Sequence, residues 1–211
     1  SDGLLLNVLP AAIALRLKKG ERRIADSYSN ASILFADLVG FTPLTSTLAP
    51  EEVVHILNEL FSRFDRAARE HGVERIKTIG DGYMAASGVP EPAADHARRM
   101  AAFAVDMNAT MLDFARESGY DLHLRVGINC GDVVAAVVGE SRFAYDLWGD
   151  AVNVAARMEG LCESDRIHCS KAFADALLEQ GASGFTIEER GHLEVKGKGV
   201  MQTYWLSSNR S

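Results

Sequence analysis

Two aspartates stand where short apolar runs give way to glycine-containing loops: Asp37 in FADLVGF and Asp81 in IGDGY. If the two runs are neighbouring strands, both carboxylates meet at one rim of a sheet. Close carboxylates repel unless a cation or a proton intervenes, and hard oxygen ligands together with substrate phosphates suit Mg²⁺. Aspartate also favours turns for its own reasons. A second group lies in YDLWGDAVNVAAR, where Asn153 and Arg157 are four residues apart and share a helix face. An amide and a guanidinium aimed the same way can hold phosphate oxygens or a reacting hydroxyl, and arginine stabilises charge in phosphoryl transfer. A solvated helix face has the same pattern. The third group, LEVKGKGV, can cradle phosphates through backbone N–H groups and a lysine charge, or it can simply close a hairpin.

The elements that must carry these residues follow from periodicity and turn chemistry. Residues 4–19 read as an amphipathic helix interrupted near Pro10, and GERRIADSYSN as a solvated linker. The compact domain is expected from about Ala31 to the end, with residues 1–30 as an N-terminal helix and linker. SILFADLVG reads as a buried strand. Pro50-Glu51-Glu52 starts a helix, with proline and acids in the first turn. VERIKTIGDGYMAASG reads as a hairpin around Gly80-Asp81-Gly82, and residues 95–117 as a second long helix. LHLRVGINCGDVVAAVVG reads as another hairpin pivoting at Gly131-Asp132. ESRFAYDLWG is expected to be a loop leading into a helix over residues 150–161, with Trp148 packed there. IHCS then reads as a strand, KAFADALLEQ as a helix, and the last stretch as strands with a glycine-rich turn. This mixture predicts an α+β domain with a ferredoxin-like core, additional helices and C-terminal strands.

Composition narrows the classes. The 211 residues fit one domain, and a hydrophobic share of 47% is enough for a sizeable core. With 22 Lys and Arg against 29 Asp and Glu, the net charge is −7, which argues against a nucleic-acid partner. Cys130, Cys162 and Cys169 are odd in number and unclustered, and read as reduced thiols. The six histidines show no metal-ligand spacing and read mostly as surface or cap residues. Phe61, Phe64, Phe103 and Phe114 read as core. Asp132 is expected in a turn and Asp150 at a helix N-cap.

Taken in order, FADLVGFT, IKTIGDGY, LRVGIN, YDLWGDAVNVAARM and VKGKG resemble the catalytic domains of class III adenylyl and guanylyl cyclases, from about Ser32 to Leu206. The resemblance implies that Asp37 and Asp81 bind two divalent metal ions, Mg²⁺ or Mn²⁺, with the backbone carbonyl of Leu38 as an added ligand. It implies that Lys77 and Asp146 read adenine, that Asn153 orients the ribose, and that Arg157 meets the phosphate under attack. Lys196 is implied as a triphosphate contact from the partner side, and Arg125 as another. The implied reaction turns ATP into cyclic AMP and pyrophosphate by attack of the ribose 3′-oxygen on the α-phosphorus. The implied assembly is a head-to-tail homodimer with shared sites.

The choice of purine has a physical reading beside the resemblance. Adenine offers an acceptor at N1 and a donor at N6, which a lysine and a carboxylate match; guanine reverses both. A site built for one pattern leaves polar groups unpaired with the other. A guanylyl or dual-specificity cyclase is therefore disfavoured by Lys77 and Asp146. A catalytically silent nucleotide-binding partner would have lost a metal aspartate or the Asn153–Arg157 pair. LLLNVLPAAIALRL resembles the segment that joins an upstream membrane or sensor region to such domains. The domain is thus expected on the cytoplasmic side of a longer, membrane-anchored chain.

Overall fold

A computed structural model describes residues 8–209. Pro10 precedes helix α1 (Ala11–Lys18), and the expected helical residues 4–7 lie outside the described range. Strand β1 (Ala25–Val39) leads through the short α2 (Phe41–Thr45) into α3 (Pro50–Glu70). The hairpin β2 (Glu74–Ile79) and β3 (Gly82–Ser87) precedes α4 (His96–Ser118) and β4 (His123–Val138). Strand β5 (Ala144–Trp148), α5 (Asp150–Gly160), β6 (Arg166–Ser170) and α6 (Lys171–Gln180) follow, and β7 (Phe185–Val195) with β8 (Gly199–Ser208) ends the chain.

The strands form one sheet in the order β2-β3-β1-β4-β6-β8-β7, with β5 paired to β4. Among the described residues, only β4 and β6 run parallel. The first four positions, β2-β3-β1-β4, together with α3 and α4, make the expected ferredoxin-like unit. Proline and two glutamates open α3, as read from sequence, and Gly119 in a left-handed conformation ends α4.

Alternation along β1 buries both faces of the sheet. Leu34, Ala36 and Leu38 meet Leu60, Phe64, Met100, Phe103 and Met107 from α3 and α4. Ile33 points to the other face, among Ile13, Met84, Val133, Tyr145 and Leu147. Phe64, Phe103 and Phe114 are core, as expected, and Phe61 packs against them half-buried. No helix among the described residues is long and apolar enough to cross a membrane.

Several sequence expectations give way here. The polar stretch 25–30 is the first part of β1, with Ala25 opposite Ala136, so the boundary expected at Ala31 falls inside a strand. A register shift between Tyr28 and Ala31, with Asn30 at φ 65°, breaks the alternation that would have marked it. The hairpin expected at Gly131-Asp132 is instead one continuous strand, and Asp132 lies within it rather than in a turn. The expected loop before α5 contains β5, whose short polar-aromatic run pairs with the far half of β4. Trp148 is 45% exposed rather than packed, and the N-cap of α5 is Gly149, with Asp150 in its first turn. His96 and His168 are buried, exceptions to the reading of the histidines as mostly surface or cap residues.

Candidate active site

Asp37 sits near the end of β1, opposite Gly82 of β3 on one side and Arg125 of β4 on the other. Asp81 is the second residue of the two-residue β2–β3 turn, whose first residue, Gly80, has φ 57°. A glycine with positive φ at that place is what a II′ hairpin turn needs. The turn brings the Asp81 carboxyl close enough to Asp37 for the two acids to perturb each other. Arg125 approaches the same cluster, its Nη2 3.8 Å from Asp37 Oδ2 and 3.9 Å from Glu159 Oε2.

Three carboxyl groups thus crowd one rim with one guanidinium. Burial and then the Asp81 carboxyl push the Asp37 acid up to about 7. Glu159 is also raised, chiefly by burial. Carboxylates that must share a proton form a hard-oxygen set that a divalent cation would relieve, so the residues present fit a Mg²⁺ or Mn²⁺ ion. Leu38, the next residue of β1, buries its side chain in the core.

Elsewhere on the sheet, Lys77 of β2 donates from Nζ to Asp146 Oδ2 of β5 at 2.7 Å. The other carboxylate oxygen accepts from Leu147 N at 2.8 Å, which fixes the orientation of Asp146. The side chains are 40% and 22% exposed. Such a pair adds little stability and stays open to a ligand carrying an acceptor beside a donor.

Asn153 and Arg157 lie on the exposed face of α5, while Val154, Ala155 and Met158 face inward. The helix rests directly on β4. A Cβ at Gly127 would stand 1.9 Å from Glu159 N, and one at Gly131 would stand 2.9 Å from Ala151 Cβ. Lys196 is exposed in the β7–β8 turn. Lys198 of that turn donates to Asp150 Oδ2 at 2.6 Å, tying the turn to the start of α5.

The structure therefore assembles three groups: Asp37, Asp81 and Arg125; Lys77 and Asp146; and Asn153 with Arg157, near the turn of Lys196. Among the described residues, no side-chain hydrogen bond or ion pair joins the first group to the others. For Lys77 and Asp146 the registers explain this: Asp37 lies opposite Arg125 and Asp146 opposite Ala136, at opposite ends of β4. Sequence reasoning missed Glu159, which spacing alone does not link to Asp37. It also missed that His71, Glu70 and Asp106 bring ligand atoms within 4.8 Å of one another, because Asp106 comes from a different helix.

A family model described as the adenylate and guanylate cyclase catalytic domain matches residues 24–208. The chain belongs to this family. It is 49% identical over 207 residues to an adenylate cyclase of Mycobacterium tuberculosis, covering 98% of this chain and 46% of that protein. It is 41% identical to the human guanylate cyclase soluble subunit beta-2, covering 99% of this chain and 34% of that protein. The chain thus spans less than half the length of these curated relatives. The crystal structure of the guanylate cyclase domain of RhGC from Catenaria anguillulae in complex with GTP superposes with a TM-score of 0.81 at 34% identity, covering 87% of this chain and 98% of that one.

Proposed function

We propose that this chain is an adenylate cyclase catalytic domain that converts ATP to cyclic AMP and pyrophosphate at sites shared across a head-to-tail homodimer. The observation that carries the choice of ATP is the Lys77–Asp146 pair. When adenine enters, the ammonium donates to N1 and the carboxylate accepts from N6. Guanine meets like with like, and the mismatch leaves unpaired the polar groups that the bound base would cover.

Asp37 and Asp81, with the Leu38 carbonyl, hold two divalent ions. Bound there, the ions supply Lewis-acid activation of the ribose 3′-hydroxyl and charge neutralisation on the triphosphate. Asn153 holds the ribose so that its 3′-oxygen lies in line with the α-phosphorus, and Arg157 stabilises charge growing on that phosphate. Lys196 and Arg125 bind the triphosphate. The placement of the carboxylate cluster and of Lys77 with Asp146 at opposite ends of β4 supports sharing: one protomer brings the carboxylates, its partner the purine pair with Asn153 and Arg157. Closed two-fold symmetry then yields two equivalent sites. The same reading places the domain on the cytoplasmic side of a longer chain, joined to an upstream membrane or sensor region.

The test is turnover of ATP and of GTP by the purified domain with Mg²⁺ or Mn²⁺, followed across protein concentration. Cyclic AMP should dominate, and specific activity should rise with concentration as dimers form. Preferred use of GTP would overturn the substrate assignment, and a specific activity independent of concentration down to monomer would overturn the shared site.

A further inference from the structure

Two buried polar side chains reach α5 from the sheet beneath it. Asn129 of β4 donates from Nδ2 to the carbonyl of Ala151 at 3.0 Å. His168 of β6 bonds through Nδ1 to the carbonyl of Met158 at 2.8 Å. A carbonyl can only accept, so Nδ1 carries a proton, and burial, which holds the ring's value down to about 4, keeps it neutral. Asn129 is 5% exposed and His168 not at all. The two carbonyls bracket Asn153 and Arg157 along the helix.

His168 packs against Trp205, ring centroids 5.1 Å apart, but packing alone does not call for a polar side chain at either position. His168 leaves Nε2 buried without a partner, which opposes folding. Asn129 is itself held, because Ser170 Oγ donates to its Oδ1 at 2.6 Å. The same hydroxyl accepts from Phe173 N at the start of α6.

The floor under α5 explains why such anchors are needed. Gly127 and Gly131 present bare backbone to it, and Asn129 is the side chain between them on the same strand face. Apolar contacts from Val154, Ala155 and Met158 attract the helix but are non-directional. Hydrogen bonds to two fixed carbonyls set its rotation and its position along β4. A small rotation of α5 displaces the exposed tips of Asn153 and Arg157 more than any buried atom.

We propose that Asn129 and His168 are positioning residues for the Asn153–Arg157 pair, acting through the Ala151 and Met158 carbonyls; this rests on the cyclase reading above. They touch no substrate. Their removal misaligns the reacting groups without emptying the nucleotide site.

The experiment measures kcat and KM for ATP in His168→Leu and Asn129→Leu, per folded molecule and well below the melting temperature. Amide hydrogen exchange across residues 151–160 is measured in parallel. The expected result is a kcat about 10- to 100-fold lower, the loss that a misplacement of about 1 Å causes. KM should stay within about threefold, because substrate binding is not what is lost. His168→Asn, whose side-chain N–H can replace Nδ1–H, should return kcat to within about threefold of wild type. Exchange within α5 should quicken in both leucine variants.

Should the leucine variants not fold, Ser170→Ala, which frees Asn129 while leaving it in place, takes their place and should lower kcat with KM unchanged. A folded variant with wild-type kcat and wild-type exchange in α5 overturns the inference. A wild-type domain that turns over no nucleotide would instead overturn the cyclase reading, and the exchange measurement would still decide whether these residues anchor α5.

Discussion

At the scale of single residues, the carboxylates at the sheet rim make the strongest claim on function. Asp37→Ala and Asp81→Ala should each abolish cyclic AMP formation while leaving the circular dichroism spectrum and a single cooperative melt intact. Both side chains stand at a rim rather than in the core, so their loss leaves no cavity. Near-normal activity in either variant would remove the metal assignment. His168 supports a different expectation, for stability. Burial holds its folded value down to about 4, against 6.5 for the free side chain. Above pH 6.5 the ring is neutral in both states and its contribution is fully present. As pH falls from 6.5 towards 4, the unfolded chain takes up a proton that the folded one refuses, so stability is lost across that window. Denaturation at pH 7.5 and pH 5 should show a smaller acid loss for His168→Asn than for the wild type. An equal loss in both would mean that other groups set the acid limb.

Between strand and helix, the contact of β4 with α5 controls the geometry. Gly127→Ala would place a methyl group against the backbone of Glu159, where no side chain can yield. It should destabilise the domain by about 3 kcal/mol or more and remove activity, as overpacking against rigid backbone does. Gly160→Ala, at the last residue of the same helix with open space around it, should be neutral or stabilise by up to about 1 kcal/mol. Chemical denaturation of the pair checks both, and similar costs would mean that the close approach at Gly127 is not limiting. The same contact shows where sequence reading stopped. The helices α3 and α4, the β2–β3 hairpin and α6 were legible because apolar period, capping and turn residues agreed. Gly131-Asp132 carries the chemistry of a turn, but that glycine is needed to clear Ala151 in a neighbouring element. Residues 25–30 hide a strand because no apolar alternation marks them, and the contacts of Asp26 with Arg16 and of Tyr28 with the Pro90 carbonyl are non-local. The shared helix face of Asn153 and Arg157 was legible because one motif holds both residues. Sequence reading did not find residues that burial brings in from the side, as with Glu159, Asn129 and His168.

On the scale of the whole molecule, the proposed shared-site homodimer predicts complementation between inactive proteins. Asp37→Ala alone spoils both sites of its homodimer, and so does Asn153→Ala. In a mixed dimer one site collects both lesions and the other has none. Random exchange places about half of the subunits in mixed dimers, each with one intact site, so mixing should restore roughly a quarter of wild-type activity under closed two-fold pairing. The assay needs protein well above the dissociation constant of the dimer. Continued inactivity, with subunit exchange demonstrated by a labelled copy, would place both residues in one site of one chain.

The three free cysteines carry a practical consequence. Cys130, Cys162 and Cys169 are all buried, and burial pushes the first two thiols up to about 11 and the third higher still. A native molecule at pH 8 therefore offers very little thiolate to a labelling reagent, and each buried sulfur reacts chiefly after the chain around it opens. The three sulfurs become clocks at different depths. Cys130 and Cys169 lie in β4 and β6 and keep the time of the sheet, whereas Cys162 keeps that of the segment between α5 and β6. If nucleotide and metal clamp α5 onto the sheet, all three clocks should slow together when both are added, and Cys162 should slow most.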